Sequence, residues 1–173
     1  MEKYGVPDIP ALILAYIAGF VDGEGTISIR RGSRKRLRAS DGALFEEYGA
    51  SLVVTQKDRT VLEWLRELFG RGCIIQVKSK WADQYDPCFY WKVDYRSAVE
   101  IIRAIAPYLR VKKRQAELVL ALDEAKAEYL LRRRPPGFGF RAGVLPTPPD
   151  LLERYRALCV ETQTLNGRKV INV

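Results

Sequence analysis

Asp22 and Glu24 flank a single glycine, Gly23, where a long apolar run gives way to a polar one. Two carboxylates this close supply the hard oxygen donors that a divalent cation prefers. The same pair would also serve as a solvated helix end, so the neighbouring residues matter. Upstream, Ala11, Ala15, Gly19 and Gly23 recur four residues apart. On a helix that spacing makes one stripe of small residues, along which another backbone can come unusually close. Glycine is costly inside a helix, and a close neighbour would give Gly19 a purpose. A second stripe, Leu14, Ile17 and Val21, is free to face the chain's own core. If two copies of the helix pack along the small stripe, both copies of Glu24 meet at one end of the pair. Adjacent like charges repel unless a cation lies between them, which makes that end a divalent-metal site.

Composition narrows the chemistry. The 173 residues include no histidine, which excludes a Ser-His-Asp triad, a Cys-His pair and every site that depends on imidazole. Hydrolysis would have to rely on carboxylates, bound cations and lysine. The net charge of +8 favours a polyanionic partner, because lysine and arginine near phosphates release condensed counterions. Cys73, Cys88 and Cys159 are odd in number and far apart, so neither a disulfide framework nor a zinc site is indicated. The apolar run Ala11 to Val21 is too short to span a bilayer. The expectation is one intracellular domain over residues 1–173, with no membrane partner.

These groups need elements to position them. Pro10 to Asp22 reads as a helix broken by Gly23-Glu24-Gly25. Thr26 to Arg31 alternates Ile27 and Ile29 inward with Thr26, Ser28 and Arg30 outward, and Gly49 to Thr55 is the returning strand. Thr60 to Phe69 has helical periodicity and ends at Gly70. Ile74 to Lys80 and Phe89 to Tyr95 make a second hairpin. Ser97 can cap a helix to about Ala106, and Lys112 to about Arg132 forms a longer one. The core therefore covers about residues 10–132. A Pro- and Gly-rich connection follows over 134–149, and Asp150 caps a last helix to about Leu165. This order predicts an α+β fold, an αββαββα core with an antiparallel sheet and further C-terminal helices, all the helices lying on one face of the sheet.

The uncovered face collects charge. Ser28, Arg30, Gln76, Lys78, Lys80, Tyr90 and Lys92 are its outward candidates, and Arg31, Arg34, Lys35, Arg36 and Arg38 cluster at the first hairpin's tip. Long polar side chains at every second position of a curved sheet can enter a major groove and read base edges. A solvent-facing strand is also polar without any ligand, so alternation alone leaves both readings open.

The segment Tyr16-Ile17-Ala18-Gly19-Phe20-Val21-Asp22-Gly23-Glu24-Gly25 resembles the signature of LAGLIDADG homing endonucleases. Val54-Thr55-Gln56-Lys57 resembles the end of that family's second strand, and Pro107 to Ala116 resembles the stretch leading into its late helix. The likeness covers roughly residues 10 to 130. It implies a saddle-shaped sheet lying in the DNA major groove and signature helices forming the interface between halves, with Ala11, Ala15, Gly19 and Asp22 at that interface. A single signature implies a homodimer and a pseudopalindromic target. The resemblance further implies that Glu24 is the acidic metal ligand, with Gly23 lending a carbonyl. Gln56, Lys112 and Arg59 would surround the reactive water and the scissile phosphate, while Arg110 and Arg114 hold backbone phosphates. The implied cofactor is Mg2+, with Mn2+ or Ca2+ able to substitute for binding. The expected reaction is a staggered double-strand break leaving 5′-phosphate and 3′-hydroxyl ends. The alternatives within this fold are a maturase that assists intron RNA splicing and a DNA-binding protein that does not cut. Retention of an acid at position 24 favours cutting.

Overall fold

The computed structural model describes residues 7–35, 44–77, 87–133 and 147–167. Helix α1 (Ala11–Glu24) leads into strand β1 (Gly25–Lys35), which pairs with β2 (Leu44–Gln56). Helix α2 (Arg59–Phe69), strands β3 (Cys73–Gln76) and β4 (Phe89–Asp94), and helix α3 (Tyr95–Ile105) follow. A 3-10 turn over Ala106–Tyr108 leads to α4 (Lys113–Arg133), and α5 (Pro149–Leu165) comes last. The four strands form one antiparallel sheet in the order β1-β2-β4-β3. This is the α+β arrangement that the order of elements predicts.

One face of the sheet is the floor of the core. Ile27, Ile29, Leu52, Val54 and Trp91 point into it and are at most 1% exposed. Ile17 and Val21 of α1, Leu62 and Leu65 of α2, and Ile101, Ile102 and Ile105 of α3 close it from above without measurable exposure. Helix α1 is apolar nearly all round, the composition of a helix meant to be covered on more than one side. Only the side bearing Ile17, Ala18 and Val21 is buried.

Local signals explain the element ends. Asp58 accepts from the Thr60 N–H at 2.8 Å and starts α2, while Gly70, at φ 62°, ends it in the left-handed conformation. Strand β2 starts at Leu44, ahead of the expected Gly49, and two helices lack the caps read from the sequence. Helix α3 begins at Tyr95, two residues before Ser97, and α5 begins at Pro149 with Asp150 inside its first turn rather than capping it. Proline at the first position needs no N–H donor, which suits it to open α5. No helix among the described residues is long and apolar enough to cross a membrane.

Candidate active site

Helix α1 passes into β1 without a loop. The N–H of Gly25 bonds back to the Val21 carbonyl, closing the last helical turn. A Cβ on Gly25 would stand 2.7 Å from that oxygen and 2.8 Å from Val21 Cγ1. Only glycine fits where helix becomes strand.

The two acids at this junction have separate fates. The Asp22 carboxylate accepts the backbone N–H groups of Arg110, Val111 and Lys112 at 2.7, 3.1 and 2.8 Å. The Lys112 ammonium donates in turn to the Asp22 carbonyl oxygen. Burial acts to raise the pKa of Asp22, but the three amides and the Lys112 charge outweigh it and hold the group below the ordinary carboxylate range. Glu24 is exposed, and among the described residues it has no hydrogen-bond or ion-pair partner. Asp22, expected at an interface between subunits, spends its carboxylate within its own chain.

The small stripe of α1 is open. Nothing lies within 4 Å of a Cβ built on Gly19 or Gly23. Ala11 is exposed and Ala15 half-buried, and beside them Leu12 is 80% and Tyr16 57% exposed. A single chain therefore leaves an apolar strip of α1 in water. Among the described residues no three His, Cys, Asp or Glu side chains converge to hold a metal.

Around Glu24 the sheet supplies further groups. Gly25 pairs with Val54, so Gln56, two residues on, stands at the end of β2 beside the α1 terminus. Its Oε1 accepts from the Lys57 N–H at 2.8 Å, leaving its amide NH2 free to donate elsewhere. Arg59 is engaged with Glu63 at 2.9 Å and lies 5.7 Å from the centroid of the Phe89 ring. The side chain of Arg110 is exposed. Arg114 reaches Glu161 at 2.8 Å and Glu117 at 3.4 Å, tying α4 to α5.

The open sheet face forms a broad shallow depression. It is lined by Thr26, Ser28 and Arg30 of β1, Ser51, Val53 and Thr55 of β2, and Tyr90 and Lys92 of β4. Arg30, Tyr90 and Lys92 stand where alternation predicts. Ser28 does too, but it is only 5% exposed and presents little to a ligand. Gln76 is a correction. It pairs with Phe89, two positions along from the Ile74 and Trp91 pair, so it shares the helix side of the sheet with Trp91. The β3 residues on the open side are Cys73 and Ile75, opposite Lys92 and Tyr90. Arg31 likewise lies opposite buried Tyr48 and bonds Glu46. Arg34 sits in β1 opposite Phe45, whereas Arg36, Arg38, Lys78 and Lys80 fall outside the described residues.

The sequence reading missed the β2 contribution. Leu52 and Val54 facing inward imply Ser51, Val53 and Thr55 outward, a signal hidden by the apolar Val53. Asp94 was also missed. It accepts from Ser51 Oγ at 2.7 Å and pairs with Lys92 at 2.6 Å on the open face.

Comparison with solved structures finds the same fold in homing endonucleases. The homing endonuclease I-CvuI, solved in complex with the I-CreI target, superposes with a TM-score of 0.63 at 21% identity, over 94% of this chain and 87% of that one. The archaeal intron-encoded homing endonuclease I-Vdi141I, solved with DNA, gives 0.63 at 22% identity over 94% and 89%. The meganuclease I-SmaMI gives 0.57 at 20%, where 94% of this chain matches 46% of that one. A sequence comparison with curated proteins returned no match. The model of the LAGLIDADG endonuclease family matches residues 17–125, a span that holds the α1 signature, the whole sheet and most of α4, and so the chain belongs to the LAGLIDADG homing endonuclease family.

Proposed function

We propose that two copies of this chain form a homodimer that makes a staggered double-strand break in a pseudopalindromic DNA site, by divalent-metal-dependent hydrolysis. The observation that carries the reading is the end of α1. There an exposed acid without a partner stands beside an uncovered small-residue stripe, with an anchored lysine next to it. Apposing two α1 helices along Gly19 and Gly23 would cover Leu12 and Tyr16 and bring the two Glu24 carboxylates together. The relatives fit this stoichiometry. I-CvuI is similar in length to this chain, whereas I-SmaMI is about twice as long.

The donor set suits Mg2+. Glu24 offers a carboxylate, and Gly23, in the last turn of α1, offers a carbonyl that no later helical N–H can claim. One chain holds half the set, and the second copy supplies the rest. When bound, the cation would polarise the scissile phosphate and lower the pKa of a water on it. The residues of the chain do the remaining work. Lys112 places a positive charge where the phosphate gains negative charge, and the free NH2 of Gln56 can orient the water. Arg59 borders this group with 56% of its side chain exposed. On the open sheet face Arg30, Tyr90 and Lys92 meet the groove, and Arg110 meets the backbone phosphates. No protein nucleophile is needed, in keeping with a chain that lacks histidine, and the ends would be 5′-phosphate and 3′-hydroxyl.

The test is selection of cleaved molecules from a randomised duplex pool with Mg2+, followed by sequencing of the ends. A recovered site should be pseudopalindromic and its two cuts staggered. On that site Glu24→Gln should lower the cleavage rate by more than about a hundredfold, beyond the loss usual for residues that only support a ligand. Binding measured in Ca2+ should hardly change. Equal loss of binding and cutting would remove Glu24 from the metal site.

A further inference from the structure

The start of α4 presents an electrostatic conflict. Lys112, Lys113 and Arg114 crowd the positive end of the helix dipole, and the first turn contains no acid. The missing negative charge comes from α1. The Asp22 carboxylate sits on the three backbone N–H groups just ahead of α4, while the Lys112 carbonyl accepts the N–H of Ala116 and opens the helix. The grip is reciprocal across 90 residues of sequence. Asp22 holds Lys112 by its backbone, and Lys112 holds Asp22 by its ammonium group.

We propose that Asp22 is a positioning residue that fixes the Lys112 ammonium at the end of α1 bearing Glu24. The proposal rests on the role given to Lys112 above. A lysine side chain on a free helix end samples many rotamers, and this one is tied at both ends. Three hydrogen bonds occupy most of the acceptor sites of the Asp22 carboxylate, which argues against Asp22 as a second cation ligand. Its bonds run to its own chain, which argues against a role in partner contact.

A double-mutant cycle on the full-length protein tests this, using Asp22→Ser, Lys112→Met and the pair. With a selected duplex, Asp22→Ser should slow single-turnover cleavage about 10- to 100-fold, yet change it less than about twofold when Lys112 is already methionine. Affinity in Ca2+ should stay the same. Equal loss in both backgrounds would overturn the proposal, since a merely structural residue acts whatever stands at 112. A second measurement needs no DNA and no variant. In the unmutated protein, the Lys112 side chain should be ordered by NMR relaxation while exposed Lys113 is mobile, and the amides of 110–112 should be protected from exchange. A Lys112 as mobile as Lys113 overturns the proposal. Failure to cut any duplex, with Lys112 ordered and the amides protected, instead overturns the nuclease reading and leaves the tie between Asp22 and Lys112 standing.

Discussion

Glu46 at the start of β2 accepts two hydrogen bonds from Arg156 of α5, at 3.0 and 3.2 Å. The same carboxylate takes a bond from Arg31 at 2.5 Å and from the Tyr48 hydroxyl at 2.7 Å. One acid thus fastens the last helix to the stem of the first hairpin. The Arg156 hydrogen bonds outweigh the effect of burial and, helped by Tyr48 and Arg31, pull the Glu46 pKa from 4.5 down to about 2.

That depression fixes the sign of a pH effect. A carboxylate whose folded pKa lies below its unfolded value stabilises the fold above the unfolded value, and the contribution fades as pH falls through the folded one. Glu46→Gln should therefore cost about 1–3 kcal/mol at neutral pH. The gap in Tm between variant and parent should close as pH drops from about 4.5 towards about 2. A gap independent of pH would mean that the carboxylate charge is not what binds α5.

Gly19→Leu separates the proposed dimer contact from the proposed metal ligand. Nothing stands within 4 Å of the new Cβ in one chain, and leucine favours helix over glycine by nearly 1 kcal/mol. The chain should stay folded. Sedimentation should find it monomeric, and cleavage should fall by more than about a hundredfold although Glu24 is untouched. A Gly19→Leu protein that sediments as a fully active dimer would place the interface elsewhere.

Gly25→Ala makes a different demand. Its methyl group would overlap the Val21 carbonyl and Cγ1, so the junction must shift. The expected loss is about 1–3 kcal/mol in denaturant unfolding, a far larger effect than alanine at the open Gly23 should cause.

Salt dependence distinguishes the arginines. Arg30 is exposed on the open sheet face, and Arg30→Ala should weaken DNA binding. If the side chain meets a phosphate, the salt slope should also drop by about one. Arg114 is already committed to Glu161 and Glu117. Arg114→Ala should leave the slope unchanged and loosen α5 instead, read as a lower Tm. A slope change at Arg114 equal to that at Arg30 would show that its ion pairs open to DNA.

What could be read before folding follows from how far each signal reaches. The α1 stripe and the inward Ile27 and Ile29 depend on neighbours a few residues away, and they appear in the structure as spacing predicts, although α1 runs on past the expected end at Asp22 to Glu24. The face of Gln76 does not. The doublet Ile74-Ile75 leaves two registers open, and pairing with β4 selects the one that turns Gln76 to the helices. The start of α3 escaped because Tyr95 adopts φ 56°, a conformation that depends on context in a non-glycine residue. Asp22 and Arg114 show a third reason. Their partners, residues 110–112 and Glu161, lie 88 to 90 and 47 positions away, beyond any local pattern.

The missing loop between Glu24 and Gly25 has a mechanical consequence. With Glu24 ending the helix and Gly25 beginning the strand, the proposed reading surface and the proposed cutting acid share one stiff arm, like the scale and edge of a ruler. Under the proposed function, the offset from recognised bases to cut phosphate is then set by covalent geometry, with no hinge to absorb an error. A subunit seated one base step out of place, about 3.4 Å, would carry its acid off the phosphate by the same amount. Misplaced binding would fail to cut without any separate proofreading step.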